Sequence, residues 1–580
     1  MESGVRDRTD RIREEIGQLN ILTRHFFGRL FRNDIVDFAD QMKAGLIAVL
    51  SILAVIVGWS SETLLFKYAF VPDANLSWQE KDYSFCLVMI IFGIVTLLEW
   101  ETLFPDSRDF INLRPLPIRH RTFFGAKLAS FVLFVGLFST AMSSVSSVLF
   151  AFYLTPWRSS SPFFLFRYVF AHLVASFAAC FFVFFACVFI QFSLMAVLPA
   201  GLYRRTSLLI RFALIAIFVF FLLALLADPS ILDSSFRSLA RLKDLESPFI
   251  VRFPPLWFVG LYEVLLGNRD PIYGVLAKTA VLALLFSFAA FILASGLSYY
   301  RHVFKTLEMK KRSSRLFWLR ERVSEALQKL TYWSPEERAV AGFFSKTIRS
   351  SPKHRMTLTN FMAVAAGFII FFIAVSRSGF RNLTPENMNL IIQLLILYAV
   401  LLMGIRTVVN LPATADARWV FQVAESPRRT RYLSGLKKAI LLKWFLPLAI
   451  LVFLVHLPIW RDWRPALNHA VFGLIVSALG IEAFFYNFRK IPFACTHVPG
   501  KLKLQTYGIL YLLGFILFLA VFSFIEKELL RDPSKFVVFL ASSLLIWAAL
   551  RIGSIRFLKT HSLIYEEEPE PALVTFPEET

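Results

Sequence analysis

The chain is predicted to be an all-α polytopic membrane protein, with about 12 transmembrane helices arranged as two parallel six-helix repeats. Three observations carry this. Hydrophobic residues make up 57% of the 580-residue chain, with mean hydropathy +0.61 and 64 Phe, more apolar surface than a soluble domain needs. Apolar runs of spanning length, about 17 to 25 residues, recur from end to end. Two short basic motifs occur twice, in the same order. The runs are continuous rather than alternating, which excludes a β-barrel.

The predicted spans are 44–61, 85–104, 128–154, 168–198, 207–227 and 273–298 in the first half. Those of the second half are 357–376, 388–409, 439–458, 469–486, 506–525 and 536–552. The fourth is overlong and must tilt or begin at the interface. The net charge of +21 would suggest nucleic acid in a soluble protein. Here no nucleic-acid partner is expected, because Lys and Arg concentrate on the segments that share a side with the N-terminus. The positive-inside rule then places both termini in the cytoplasm. The opening "MESGVRDRTDRIREEIGQLN" has no apolar signal core, so the first span is expected to direct insertion.

Residues 1–43 form a cytoplasmic N-terminal segment. Between Arg11 and Phe38, Ile12, Ile16, Leu19, Leu22, Phe26 and Leu30 fall at helical spacing among arginines, as in a helix lying on a membrane surface. Residues 44–298 hold the first six spans. Residues 299–356 are a basic cytoplasmic linker ending in a second interfacial helix. Residues 357–552 hold the second six spans, and 553–580 an acidic tail whose "YEEEPEPALVTFPEET" is too polar and Pro-rich to build a core. The large outer segment 228–272 contains an amphipathic stretch near Leu232–Leu242. A proline-started "FPPLWFVGLYEVLLG" follows, too short to span. Its Asp228, Asp233, Asp244, Glu246 and Glu263, with no His, read as a solvated amphipathic face.

The repeat centres on "PIRHRTFFGAK" (Pro117–Lys127) and "PRRTRYLSGLK" (Pro427–Lys437). Ungapped, Pro117 meets Pro427, Arg119 meets Arg429, Arg121 meets Arg431, Gly125 meets Gly435 and Lys127 meets Lys437. Each follows the second span of its half. "FFGRLFRN" (Phe26–Asn33) likewise matches "FFSKTIRS" (Phe343–Ser350), each just before the first span of its half. Six spans per half make the repeats parallel. Pro115 and Pro117 fix the backbone before a helix starts, leaving a rigid cationic handle. The plainer reading is a loop that only positions the next span, with its arginines at lipid headgroups.

The stretch "DSRDFINLRPLPIRHRTFFGAK", with its Leu-Pro-Leu-Pro-like element (Leu113-Arg114-Pro115-Leu116-Pro117), basic residues and Lys127, resembles the loop between the second and third spans of ABC-2 type permeases. These are membrane halves of ATP-binding-cassette exporters. The resemblance implies an interfacial N-terminal helix at Arg11–Phe38, a coupling segment at about 106–127 and short outer helices within 228–272. In the second half it implies an interfacial helix at Glu336–Arg355 and a coupling segment at about 412–438. It implies coupling residues Leu113, Pro115, Leu116, Pro117, Arg119 and Arg121, with Glu425, Pro427, Arg429 and Arg431 in the second half. Two departures are visible. Almost nothing separates the fifth and sixth spans of the second half (526–535), and Glu425-Ser426-Pro427 replaces Pro115-Leu116-Pro117.

No G-x-x-x-x-G-K-[ST] loop occurs; "VPGKLKL" at Val498 lacks its spacing and hydroxyl. The chain is therefore expected to be a transport subunit, not an enzyme, without a cofactor of its own. ATP and Mg would sit on separate P-loop ATPase subunits, two copies per chain. The expected setting is the lipid of a bacterial inner (plasma) membrane.

The remaining charged candidates read as structural. Glu99 and Glu101 at the end of the second span, and Glu482 near the inner end of the tenth, are placed to form salt bridges to a loop arginine, although intramembrane carboxylates default to function. Lys278 is placed to snorkel. Without a run of mid-membrane carboxylates or His, proton-driven transport has little basis. Cys86, Cys180, Cys187 and Cys495 fit no metal spacing, and Cys495 with His497 no zinc pattern. The Phe-rich "CFFVFFACVF" reads as packing or lipid-facing. Two other functions remain open: an integral-membrane enzyme acting on lipid or glycan, which needs a polar constellation at an interface, and a membrane scaffold.

Overall fold

The computed structural model describes residues 2–30, 32–33, 36–37, 42–70, 77–100, 116, 118–158, 161–227, 253–305, 331–332, 334–375, 384–413, 419, 423, 429–495, 504–532 and 534–565. The chain divides into two compact units, Met1–Met309 and Lys310–Thr580, with the boundary inside the basic segment 299–356. Apart from a two-residue ladder pairing Arg32–Asn33 (β1) with Val36–Asp37 (β2), the described elements are helices. Eleven are long and apolar enough to cross a membrane, among the described residues. The chain is an all-α integral membrane protein.

The first unit runs α1 (Glu2–Leu30), α2 (Met42–Leu65), α3 (Trp78–Leu98), α4 (His120–Arg158), α5 (Pro162–Val197), α6 (Ala200–Ala227), α7 (Pro254–Leu265) and α8 (Pro271–Lys305). α5 is 36 residues long, roughly 54 Å at 1.5 Å per residue, more than a bilayer core requires. Proline opens α5, α7 and α8, where its missing N–H is not needed. α4 packs on α2 and α5, and α5 also carries α3, α7 and α8. Phe181, Phe184 and Phe185 of the Phe-rich run are buried, packed with Phe131, Phe134 and Phe291. That run is a packing face. The four cysteines are free and buried.

The second unit runs α9 (Pro335–Ser350), α10 (Pro352–Val375), α11 (Met388–Asn410), α12 (Arg429–Ile440), α13 (Leu446–Trp460), α14 (Trp463–Phe484), α15 (Leu504–Arg531) and α16 (Lys535–Thr560). A π-helical turn, Leu441–Phe445, joins α12 to α13 as one span. Its core gathers α9, α11, α12 and α14 around Phe344, Tyr398, Ile405, Leu436 and Phe485. Phe493 adopts a left-handed backbone (φ 62°), uncommon for a bulky residue. It is held by N–H donation to the Val409 carbonyl, by the Ala413 N–H, and by the rings of Phe343, Phe344 and His354. Large apolar side chains such as Val537, Val538 and Leu545 on α16 are exposed, as lipid contact requires.

Several boundaries differ from those expected. α1 ends at Leu30 rather than Phe38, because β1 and β2 take up the following residues. Residues 352–355 belong to the first turn of α10, since Pro352 restarts the helix after Ser351. The last span continues to Thr560, so 553–560 are helix rather than tail. The amphipathic stretch near 232–242, His497 and the acidic 566–580 lie outside the described residues.

Candidate functional site

The second basic motif opens α12. Cations at a helix start oppose the macrodipole, so they need acidic partners. α9 supplies them. Ser334 caps that helix, accepting from the Glu337 amide at 3.2 Å, with Pro335 at the first position and Glu336 and Glu337 in the first turn. Arg431 Nη1 lies 3.5 Å from Glu336 Oε2, and Lys438 Nζ donates to Glu337 Oε2 at 2.8 Å. A backbone amide at the helix start, helped by Ser334 and Arg431, holds the Glu336 carboxyl below its usual range, so it is charged at neutral pH.

The contact continues inward as one chain of polar groups. Ser434 Oγ donates to Glu337 Oε1 at 2.7 Å, and Arg551 Nη2 donates to Ser434 Oγ at 2.9 Å. Arg551 Nη1 and Lys437 Nζ then hold the two oxygens of buried Glu482, at 2.9 and 2.5 Å. Lys437 also donates to Ser554 Oγ at 3.2 Å. One turn further on, Lys443 of the π turn reaches Ser345 of α9. Glu337, Ser434, Lys437, Arg551 and Ser554 of this chain line a cavity of about 190 Å³.

Gly435 is what lets the helices meet. A Cβ there would lie 2.7 Å from both the Cα and the carbonyl oxygen of Glu337, which are backbone atoms that cannot swing aside. In the first unit Gly125 faces α1 in the same way, but a Cβ would meet only Leu19 Cδ1, at 3.4 Å. There Leu22, Phe26 and Ala126 are buried together with Ile118 and Phe123 against them, and Arg119 pairs with Glu15. Thus the two sequence matches touch within each unit: the motif after the second span lies against the helix that carries the Phe-Phe motif. The Arg119–Glu15 pair is exposed on both sides and contributes little to stability.

These contacts predict opposite outcomes for one substitution. Gly435→Ala should destabilise the α9–α12 contact by about 1–3 kcal/mol through overpacking. Gly125→Ala should be neutral or stabilising, because alanine gains up to about 1 kcal/mol of helix propensity over glycine and meets only a movable methyl group. Thermal unfolding in detergent, with protease cleavage before α9 and α4 as the local probe, reads both.

The structure places the other expected residues as follows. Leu116 and Arg121 are exposed, and the Arg119 carbonyl starts α4 by accepting from the Thr122 and Phe123 amides. Residues from His120 onward are the first turns of the spanning helix, not a separate loop, and α12 likewise runs into its span. Arg429 is half-buried at the start of α12. Glu99 is half-buried at the end of α3, and Lys278 is exposed on α8. Glu482 is paired with Lys437 of α12 and Arg551 of α16, both on helices, rather than with a loop arginine. Leu113, Pro115, Pro117, Glu101, Glu425 and Pro427 lie outside the described residues. Glu337, Ser434, Lys437 and Arg551 were not expected as partners. The Ser-Pro-Glu-Glu start of α9 was the one local signal for them.

Toward the opposite ends of the spans, one expectation is overturned. Glu263 is not on a solvated face: α7 is buried, and Glu263 pairs with fully buried Lys81 of α3. Asn268 donates to its other oxygen at 3.1 Å. The rings of Tyr262 and Tyr168 lie 4.8 and 5.5 Å from the Lys81 ammonium. Gly267, at φ 85°, turns the chain back toward α8. The spans also bury Asp82, His172 and the pair His469–Glu526, titratable groups that the sequence reading passed over. Between α15 and α16 only a tight turn remains, with Asp532 accepting from the Ser534 amide and hydroxyl.

Among the described residues no group of three or more His, Cys, Asp or Glu could hold a metal ion. No family model, curated protein or solved structure matches this chain.

Proposed function

We propose that the chain is the permease subunit of an ABC-2 type exporter. It moves an amphipathic substrate across a bacterial inner membrane, with both termini in the cytoplasm. Separate P-loop ATPase subunits, carrying ATP and Mg, dock on its two basic segments, one on each. The observation that carries this reading is the recurrence of one contact in both units. A Pro-x-Arg-x-Arg-x-x-x-Gly-x-Lys segment is braced, at its glycine, by the helix preceding the first span. A brace of that kind transmits a push on the arginines directly into a spanning helix, because α4 and α12 have no hinge between motif and span other than the π turn. The enzyme alternative loses Glu263, the described acid of its outer constellation, to the ion pair with Lys81.

Purification from the native membrane in mild detergent, with mass spectrometry of bound chains, tests the reading. Two P-loop ATPase copies per chain are expected. Arg119→Glu/Arg121→Glu should lower bound ATPase from two copies per chain to one while membrane insertion persists. Retention of both ATPase copies and of transport by that double variant removes the coupling assignment. Absence of any ATPase under conditions that preserve a known exporter removes the exporter reading.

A further inference from the structure

A second cavity, of about 410 Å³, lies on the other side of α12. Its walls are apolar: Val340 and Phe343 of α9, Leu433 and Leu436 of α12, and Leu558 of α16. Its lining includes the cations Arg429 and Lys490. The acid of that lining, Glu336, lies 3.5 Å from Arg431. Its volume falls in the range of ligand pockets rather than of packing defects. Its level in the membrane is fixed by its own walls: the start of the span led by α12, the end of the span α16, and the amphipathic α9. These meet where a bilayer passes from hydrocarbon to headgroups.

We propose that this cavity binds one anionic phospholipid. An acyl chain fills the apolar chamber, and the phosphate lies against Arg429 and Lys490. The charge pattern selects the sign of the headgroup, since basic pockets between spanning helices at the inner surface suit anionic lipids. Apolar walls select a chain-bearing ligand over a free phosphate, which would leave Phe343, Leu433 and Leu558 against water. Occupancy ties α9, α12 and α16 together beside the motif that begins at Pro427. The proposal does not rest on the exporter reading.

The test is native mass spectrometry of the full-length chain, delipidated and then mixed with equal phosphatidylglycerol and phosphatidylcholine. The wild-type chain should retain one phosphatidylglycerol in preference to phosphatidylcholine. Lys490→Gln should reduce that preference about fivefold, the effect of one interfacial cation. Ala339→Phe, at an exposed α9 position on the cavity lining, should obstruct the chamber and sharply reduce retention while α9 stays folded by circular dichroism. Glycerol 3-phosphate should fail to displace the lipid. Equal retention of the two lipids, or undiminished retention by Ala339→Phe, overturns the proposal. Displacement by glycerol 3-phosphate shows an anion site only and also overturns it. If phosphatidylglycerol binds only after residues 566–580 are removed, the acidic tail is the occupant and the lipid assignment fails.

Discussion

Replacing Glu263 by alanine is expected to destabilise the first unit by about 3–5 kcal/mol, the usual result of stranding one member of a buried ion pair. Lys81 has no exposed surface, and its ammonium lies among Glu263, Tyr168 and Tyr262. The tyrosine faces attract the cation but cannot replace a carboxylate. Lys81→Met/Glu263→Leu should recover most of the loss, because apolar pairs of similar volume often match a buried salt bridge. Unfolding by heat or by increasing SDS, followed by tryptophan fluorescence, gives both values. A single substitution costing less than about 1 kcal/mol would mean that water reaches the pair and that α7 is not seated as described.

Glu482→Ala should have a comparable effect, about 3–5 kcal/mol, on the second unit. It frees two cations at once. Their fates differ: the Lys437 side chain is 5% exposed and keeps, among the described residues, the Ser554 hydroxyl, whereas Arg551 is 25% exposed and can turn to solvent. Adding Lys437→Met should therefore restore much of the stability, and adding Arg551→Met should restore less. The reverse order would place the strain on Arg551. Because Arg551 also donates to Ser434, and Ser434 to Glu337, loss of Glu482 should loosen α9 as well. Hydrogen exchange at α9 amides distinguishes this from a local effect.

The spans were legible because each is a long apolar run, and lipid leaves the backbone no other option than a helix. The recurring motif was legible because Pro, Arg, Gly and Lys return at fixed spacing, and in the second unit its glycine, Gly435, stands where a Cβ would meet the Glu337 backbone. The partners were not legible. Lys81 and Glu263 lie 182 positions apart, and Lys437 and Ser554 lie 117 apart. No local pattern encodes which distant spans share an ion pair. The burial of α7 could have been read. "PPLWFVGLYEVL" is apolar all round but for Glu263, and such a helix is buried. The acids elsewhere in that outer segment drew attention from it.

The π turn at Leu441–Phe445 works as a phase correction. Along an unbroken helix every inserted residue rotates all later side chains by about 100°. A π turn absorbs such a residue locally. The half of the span that presents Arg429 and Arg431 can therefore change its azimuth while the apolar half after Leu446 keeps its own. α4, which has no such turn, lacks that freedom: a residue gained or lost in its basic start must re-aim the whole span. Over evolutionary time, a residue gained or lost in the basic start is more easily accommodated in α12 than in α4.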